Sequence, residues 1–150
     1  GRTSAAAIKV AQGVAVRLLR QESHDRPLLG NWQALLDYLR ADMAHHGVER
    51  VRVLHLDSKN RLIRDEVTGQ GTIDEAPVYA REVVRRAVQI GSTAVILVHN
   101  HPSGDAAPSR ADIEVTRTIA AALKPVGIAL HDHIIIARGG HTSLRAAGLI

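Results

Sequence analysis

Apolar positions recur at different spacings along the chain, and each spacing predicts an element. Residues 1–22 carry Ala5, Ile8, Val10, Ala11, Val14, Leu18 and Leu19 as a broad stripe at helical spacing. Residues 23–30, with Pro27 and Gly30, read as a linker. Asn31 is a suitable N-cap for a second helix, which Trp32, Leu35, Leu36, Leu39 and Met43 carry to about His46 before Gly47 stops it. The next stretch, Arg50 to Asp57 (RVRVLHLD), alternates, with Val51, Val53 and His55 on one face and the arginines and leucines on the other. Ser58-Lys59-Asn60 turns it into a partner strand, Arg61 to Thr68, which Gly69 and Gly71 break. A helix follows from about Val78 to Ile90, ended by Gly91. Ala94 to Val98 is a continuous, largely β-branched run, as expected of a buried strand, and it emerges into His99-Asn100-His101-Pro102. Ser109 opens a helix through Ile113, Thr116, Ile119, Ala120 and Leu123 that stops near Lys124, before Pro125 and Gly127. Ile128 to Ala137 reads as a second buried strand, Gly139-Gly140 as a tight turn and Thr142 to Arg145 as a short edge strand. Helices alternating with strands, some joined by hairpins, predict an α/β fold, a mixed sheet with helices on both faces.

Composition narrows the function. At 150 residues, 45% apolar and 23% charged, the chain has the size and balance of one ordinary globular domain, assigned here to residues 31–150. No apolar run approaches the roughly 20 residues that span a bilayer, and no signal-peptide layout opens the chain, so no membrane partner and a cytoplasmic location are expected. The first residue is Gly1 and not methionine, which reads as a fragment or a processed chain. The absence of cysteine excludes a thiolate zinc site, a disulfide framework and a thiol nucleophile. The net charge of +4 comes from scattered arginines expected on solvated faces, with Arg81, Arg85 and Arg86 as the one tight group. Trp32, Tyr38 and Tyr79 are too few for a base-stacking platform. DNA binding is therefore open but unsupported by this stretch of chain. The sequence contains no H-E-x-x-H, no C-x-x-C, no Walker loop and no G-x-G-x-x-G.

The chemistry gathers at the end of the central strand. His99 and His101 are two apart, so on a strand they share a face with Cα atoms about 6 to 7 Å apart. Seven residues separate His101 from Ser109, and Asp112 opens the next helix three positions later. Two imidazoles and one carboxylate are a donor set typical of catalytic zinc, where three protein ligands leave the fourth position to water. Ser109 and Asp112 also form a plausible capping box. A second group, His131-Asp132-His133, puts two histidines on a shared face with Asp132 turned away, and reads as core or supporting residues.

The spacing of His99, His101, Ser109 and Asp112 resembles the JAMM (MPN-plus) metalloprotease motif, and the string HNHPSGDAAPSRAD is similar to the RadC branch of that family, bacterial proteins named for DNA repair. The resemblance runs from about Gly47 to Ile150. It implies a JAMM/MPN, cytidine-deaminase-like architecture and Zn2+ held by His99, His101 and Asp112. It also implies a proton-shuttling glutamate from an earlier strand, matched by Glu49 with Glu66 as runner-up, and Ser109 as a donor to the oxyanion. Residues 1–22 are similar to the last helix of the helix-hairpin-helix-like region that precedes this domain in RadC proteins. The expected function is a zinc-dependent hydrolase of peptide or isopeptide bonds acting on a protein or peptide. The alternative is a non-catalytic interaction module in DNA repair or recombination. The stripe on residues 1–22 would also suit pairing with a second copy of the chain.

Overall fold

A computed structural model of the chain describes residues 31–70 and 76–150; the expected N-terminal helix and linker lie outside them. The first described helix, α1 (Trp32–Met43), is followed by the hairpin of β1 (Arg50–Leu56) and β2 (Leu62–Gln70). Helix α2 (Ala76–Ile90) leads to β3 (Ala94–Asn100), and α3 (Arg110–Leu123) crosses over to β4 (Ala129–Ala137) and β5 (Gly140–Ser143). The sheet order is β2-β1-β3-β4-β5. Only β3 and β4 run parallel, because a helix rather than a turn joins them. Among the described residues no helix is long and apolar enough to cross a membrane.

Strand alternation divides the core into two layers. Leu54, Leu56, Ile96, Val98, Ile134 and Ile136 pack under Leu35, Leu36, Leu39 and Met43 of α1. Val53, Val95 and Leu97 face the opposite way, toward Val83 and Ala87 of α2 and Val115, Ile119 and Leu123 of α3. The mixed α/β sheet with helices on both faces is thus the fold of this chain.

The structure departs from the sequence pattern in several places, each for a long-range reason. Helix α1 ends at Met43 rather than His46, and the carbonyls of His46 and Val48 accept hydrogen bonds from Asn100 instead of continuing the helix. Asn31 sits at the N-cap without a side-chain cap bond. Gly69 does not break β2, since it pairs with Val51 and Gln70 pairs with Arg50. On α3 it is Val115 rather than Ile113 that joins the buried stripe. Arg52 is not on a solvated face: it is buried beneath α1, donating to Asp65 at 3.0 Å and to the Tyr38 hydroxyl at 2.7 Å, with Asp42 close by. Burial opposes that charge, but the bonds to Asp65 and the neighbouring negative groups outweigh it and hold its pKa above the usual value.

The largest departure is on β4. Val95 pairs with Leu130 while Ile96 pairs with Asp132, so His131 is an extra residue with no partner on β3. The bulge shifts the alternation by one. Consequently His131 and His133 do not share a face as expected: His131 reaches Asn60 in the β1–β2 turn, at 2.9 Å, whereas His133 points into the layer under α3.

Candidate metal centre

The register of the sheet builds the site. Val51 pairs with His99 and His99 with Ile135, so odd-numbered residues of β1, β3 and the far half of β4 look to the same side. Continued past Val51, that alternation brings Glu49 to the same face as His99 and His101. Helix α3 lies over this face and lowers Asp112 onto it from its first turn. Asp112 Oδ1 is 3.2 Å from His99 Nε2 and Oδ2 is 3.1 Å from His101 Nε2, while Glu49 Oε1 is 3.6 Å from His99 Nε2. Donor atoms of all four residues lie within 4.8 Å of one another. His99 and Asp112 are buried and Glu49 and His101 partly exposed, so the cluster opens to solvent on one side.

Asp112 is held by the predicted capping box. Ser109 N–H donates to Asp112 Oδ2 at 2.7 Å, and Ser109 Oγ accepts from Asp112 N–H at 3.0 Å. The cap uses a lone pair of the hydroxyl and leaves its proton, on an exposed side chain, available to another acceptor. Burial raises the pKa of the Asp112 carboxyl, but the His99 ring when it carries a second proton, together with the Ser109 bonds, outweighs burial and holds it below the usual carboxylate range. Glu66, the alternative to Glu49, is elsewhere: Arg86 Nε donates to it at 2.8 and 3.1 Å, and that bond lowers its pKa to about 2.

Counting protons shows what the cluster needs. Thr116 has one hydroxyl proton, given to the Asp112 carbonyl four residues back at 2.5 Å. His133 Nδ1, 2.5 Å from the same hydroxyl oxygen, is therefore the donor of that pair. His133 is wholly buried, and burial pushes its pKa well down, so its Nε2 is bare and accepts from His99 Nδ1 at 2.6 Å. In that tautomer His99 Nε2 carries a lone pair, and this atom is buried without a hydrogen-bond partner. His101 Nδ1 donates to the Asp105 carbonyl at 2.9 Å, and its other ring nitrogen, Nε2, lies 3.1 Å from Asp112 Oδ2. With both rings in the Nδ1–H form, two imidazole lone pairs face the oxygens of the Asp112 carboxylate. Such a set fits a cation, and nitrogen and carboxylate donors in this number suit zinc.

Two supporting residues, Asn100 and Thr116, were not singled out by the sequence pattern. Asn100, on the opposite face of β3, accepts Arg50 N–H at 2.7 Å and donates to Val48 O at 3.1 Å, so it grips the backbone on both sides of Glu49. Its one available signal was its buried position between the two histidines. Thr116 reads in the sequence only as one position of an apolar stripe. His133 reads there as a core or supporting residue, and the structure sets it against His99; only its shared face with His131 is lost to the bulge. Asp105 is the turn residue expected, accepting Ala107 N–H at 2.9 Å. Two surface cavities, about 390 and 650 Å³, are lined by other residues, including Arg117 and Leu149 in one and Trp32 and Leu130 in the other. Neither contains any of the four clustered side chains.

Comparison with known proteins gives the same picture of ancestry. Residues 29–149 match the family model described as RadC-like JAB domain. A Rhodobacter capsulatus protein named UPF0758 protein is 51% identical over 143 residues, covering 95% of this chain and 67% of that protein. JAB domains of the JAMM class are zinc metallohydrolases, and the cluster described above is one that could hold a metal ion. The chain belongs to the RadC-like JAB domain family.

Proposed function

We propose that the chain is a zinc-dependent hydrolase of peptide or isopeptide bonds, with the metal held by His99, His101 and Asp112. The observation that carries this reading is the convergence of His99 Nε2 and His101 Nε2 on the Asp112 carboxylate, in a cluster open to solvent beside Glu49. When bound, zinc lowers the pKa of a coordinated water to about 7 and polarises a carbonyl. Glu49 would take one proton from the attacking water and return it to the departing amine nitrogen. Amide and water then become acid and amine with Glu49 unchanged, a role worth roughly 10² to 10⁴ in rate. Ser109 would donate its remaining proton to the oxygen that gains charge as the carbonyl is attacked. The substrate class follows from that chemistry and is a protein or peptide.

Metal analysis of the purified protein, wild type beside His101→Ala and Glu49→Gln, tests the reading. About one zinc per chain, lost in His101→Ala and kept in Glu49→Gln while hydrolysis of a peptide or isopeptide library disappears, is the expected result. A second reading rests on the fact that Glu49 also lies inside the 4.8 Å cluster. If it completes a closed four-donor set, the metal is structural and the domain an interaction module. Loss of zinc from Glu49→Gln, with no hydrolysis by wild type, would select that reading.

A further inference from the structure

We infer that His133 and Thr116 are positioning residues that fix the tautomer of His99 and thereby set the affinity of the cluster for a divalent metal; this rests on the metal-site reading above. The three side chains form one chain of hydrogen bonds that leads away from the cluster. His99 Nδ1 donates to His133 Nε2 at 2.6 Å, His133 Nδ1 donates to Thr116 Oγ1 at 2.5 Å, and Thr116 closes on the Asp112 carbonyl at 2.5 Å. All three are fully buried, so no water competes for these bonds. The direction of the chain is set at its far end, because a carbonyl oxygen can only accept. Reading back, each proton is committed, and His99 is left with its hydrogen on Nδ1 and a lone pair on Nε2, the atom facing Asp112 and Glu49. The opposite tautomer would put a hydrogen on Nε2 and block it as a metal donor.

The fold goes to some length to place His133 here. Strict alternation along β4 would put it on the α1 side with the residues that pack against Leu35 and Leu39. The bulge at His131 reverses the parity, and Asp132 secures the bulged segment by accepting the N–H groups of His133 at 2.7 Å and Arg145 at 3.1 Å and the Ser143 hydroxyl at 2.5 Å. The relay also ties two of the proposed metal-holding residues together, since Thr116 and Asp112 are four apart on the same helix. A buried histidine that served packing alone would need neither this polarity nor this connection.

The test uses the whole chain, with Co2+ as a spectroscopic probe and 15N NMR of the histidine rings in metal-free protein. Wild-type His99 is expected as the Nδ1–H tautomer. His133→Leu, which removes both bonds, is expected to shift His99 toward Nε2–H and to weaken Co2+ binding by about 10- to 100-fold. His133→Gln keeps one acceptor and one donor and should recover most of that loss. Thr116→Val should weaken binding and Thr116→Ser should not, and this pair decides the matter if His133→Leu does not fold. A wild-type His99 carrying its proton on Nε2, or folded His133→Leu and Thr116→Val variants that bind Co2+ as wild type does, would overturn the inference. A wild type that binds no Co2+ while showing the Nδ1–H tautomer would instead overturn the metal reading and the affinity claim built on it.

Discussion

The side-chain oxygen of Asn100 accepts the backbone N–H of Arg50 at 2.7 Å, and its amide donates to Val48 O at 3.1 Å, so one buried residue of β3 brackets Glu49 without touching the cluster face. Replacing Asn100 by Ala strips partners from both backbone groups, at a cost of about 1 to 3 kcal/mol for each that stays buried. His99, His101 and Asp112 keep their own supports. The expected outcome is lower stability in urea, unchanged zinc content and a fall in hydrolysis as Glu49 loses its place. Wild-type rates in Asn100→Ala at equal zinc content would falsify the positioning role.

Ser109 has two duties that substitution can separate. As an N-cap its loss to Ala costs about 1 kcal/mol, whereas Gly costs a few tenths. As a proton donor to a charged oxygen its loss costs roughly 10²- to 10³-fold in rate, whichever small residue replaces it. Ser109→Gly and Ser109→Ala should therefore differ in melting temperature and match in residual activity. Activity that follows stability instead, near wild type in Ser109→Gly, leaves the hydroxyl as a cap alone.

The loop between His101 and Ser109 is seated on the β4–β5 turn. Gly104 has φ +91 and its carbonyl accepts Gly139 N–H at 3.1 Å, while a Cβ on Gly139 would lie 2.8 Å from that carbonyl oxygen. A methyl group at Gly139 must push the loop outward, and with it the Asp105 carbonyl that orients His101. Gly139→Ala is expected to cost about 1 to 3 kcal/mol and to weaken zinc binding, read by competition with a chelator. Wild-type zinc affinity in this variant would show that the loop orients His101 without help from the turn.

Stability should fall in acid before any carboxylate is protonated. His55 is wholly buried with Nδ1 2.7 Å from Ser92 Oγ, and burial lowers its pKa from the usual 6.5 to about 4. Between those values the unfolded chain takes up a proton that the folded chain refuses, so this contribution is complete above pH 6.5 and is lost as pH falls toward 4. Its size is on the order of 3 to 4 kcal/mol at about 1.4 kcal/mol per pKa unit. His131 and His133 act in the same direction, whereas the Glu66–Arg86 pair gives way only in more acid solution, as Glu66 protonates toward about pH 2. Urea denaturation of metal-free protein at pH 7 and pH 5 should show the loss, with a smaller slope in His55→Asn. Parallel slopes would place the acid sensitivity in the other histidines.

Local pattern in the sequence was sufficient for much of this molecule. The alternation of RVRVLHLD, the continuous run before His99 and the Ser109–Asp112 cap are each set by neighbours within a few residues, and the corresponding strands and helix appear close to where the pattern puts them. The approach of His99, His101 and Asp112 follows from that same local order, a strand end and a helix start joined by a short loop. Tertiary structure decided the rest. Glu49 and Glu66 are both acids beside or within strands, and only the β1–β3 register, together with the capture of Glu66 by Arg86, separates them. Arg52 reads as a surface charge until Tyr38 and Asp42 of α1 and Asp65 of β2 arrive to bury it. The bulge at His131 leaves no mark in composition or spacing, yet it turns His133 from one layer to the other. Helices and strands are written in short-range periodicity, but parity across a sheet is a property of pairing between distant segments, and one unpaired residue reverses every side chain that follows it.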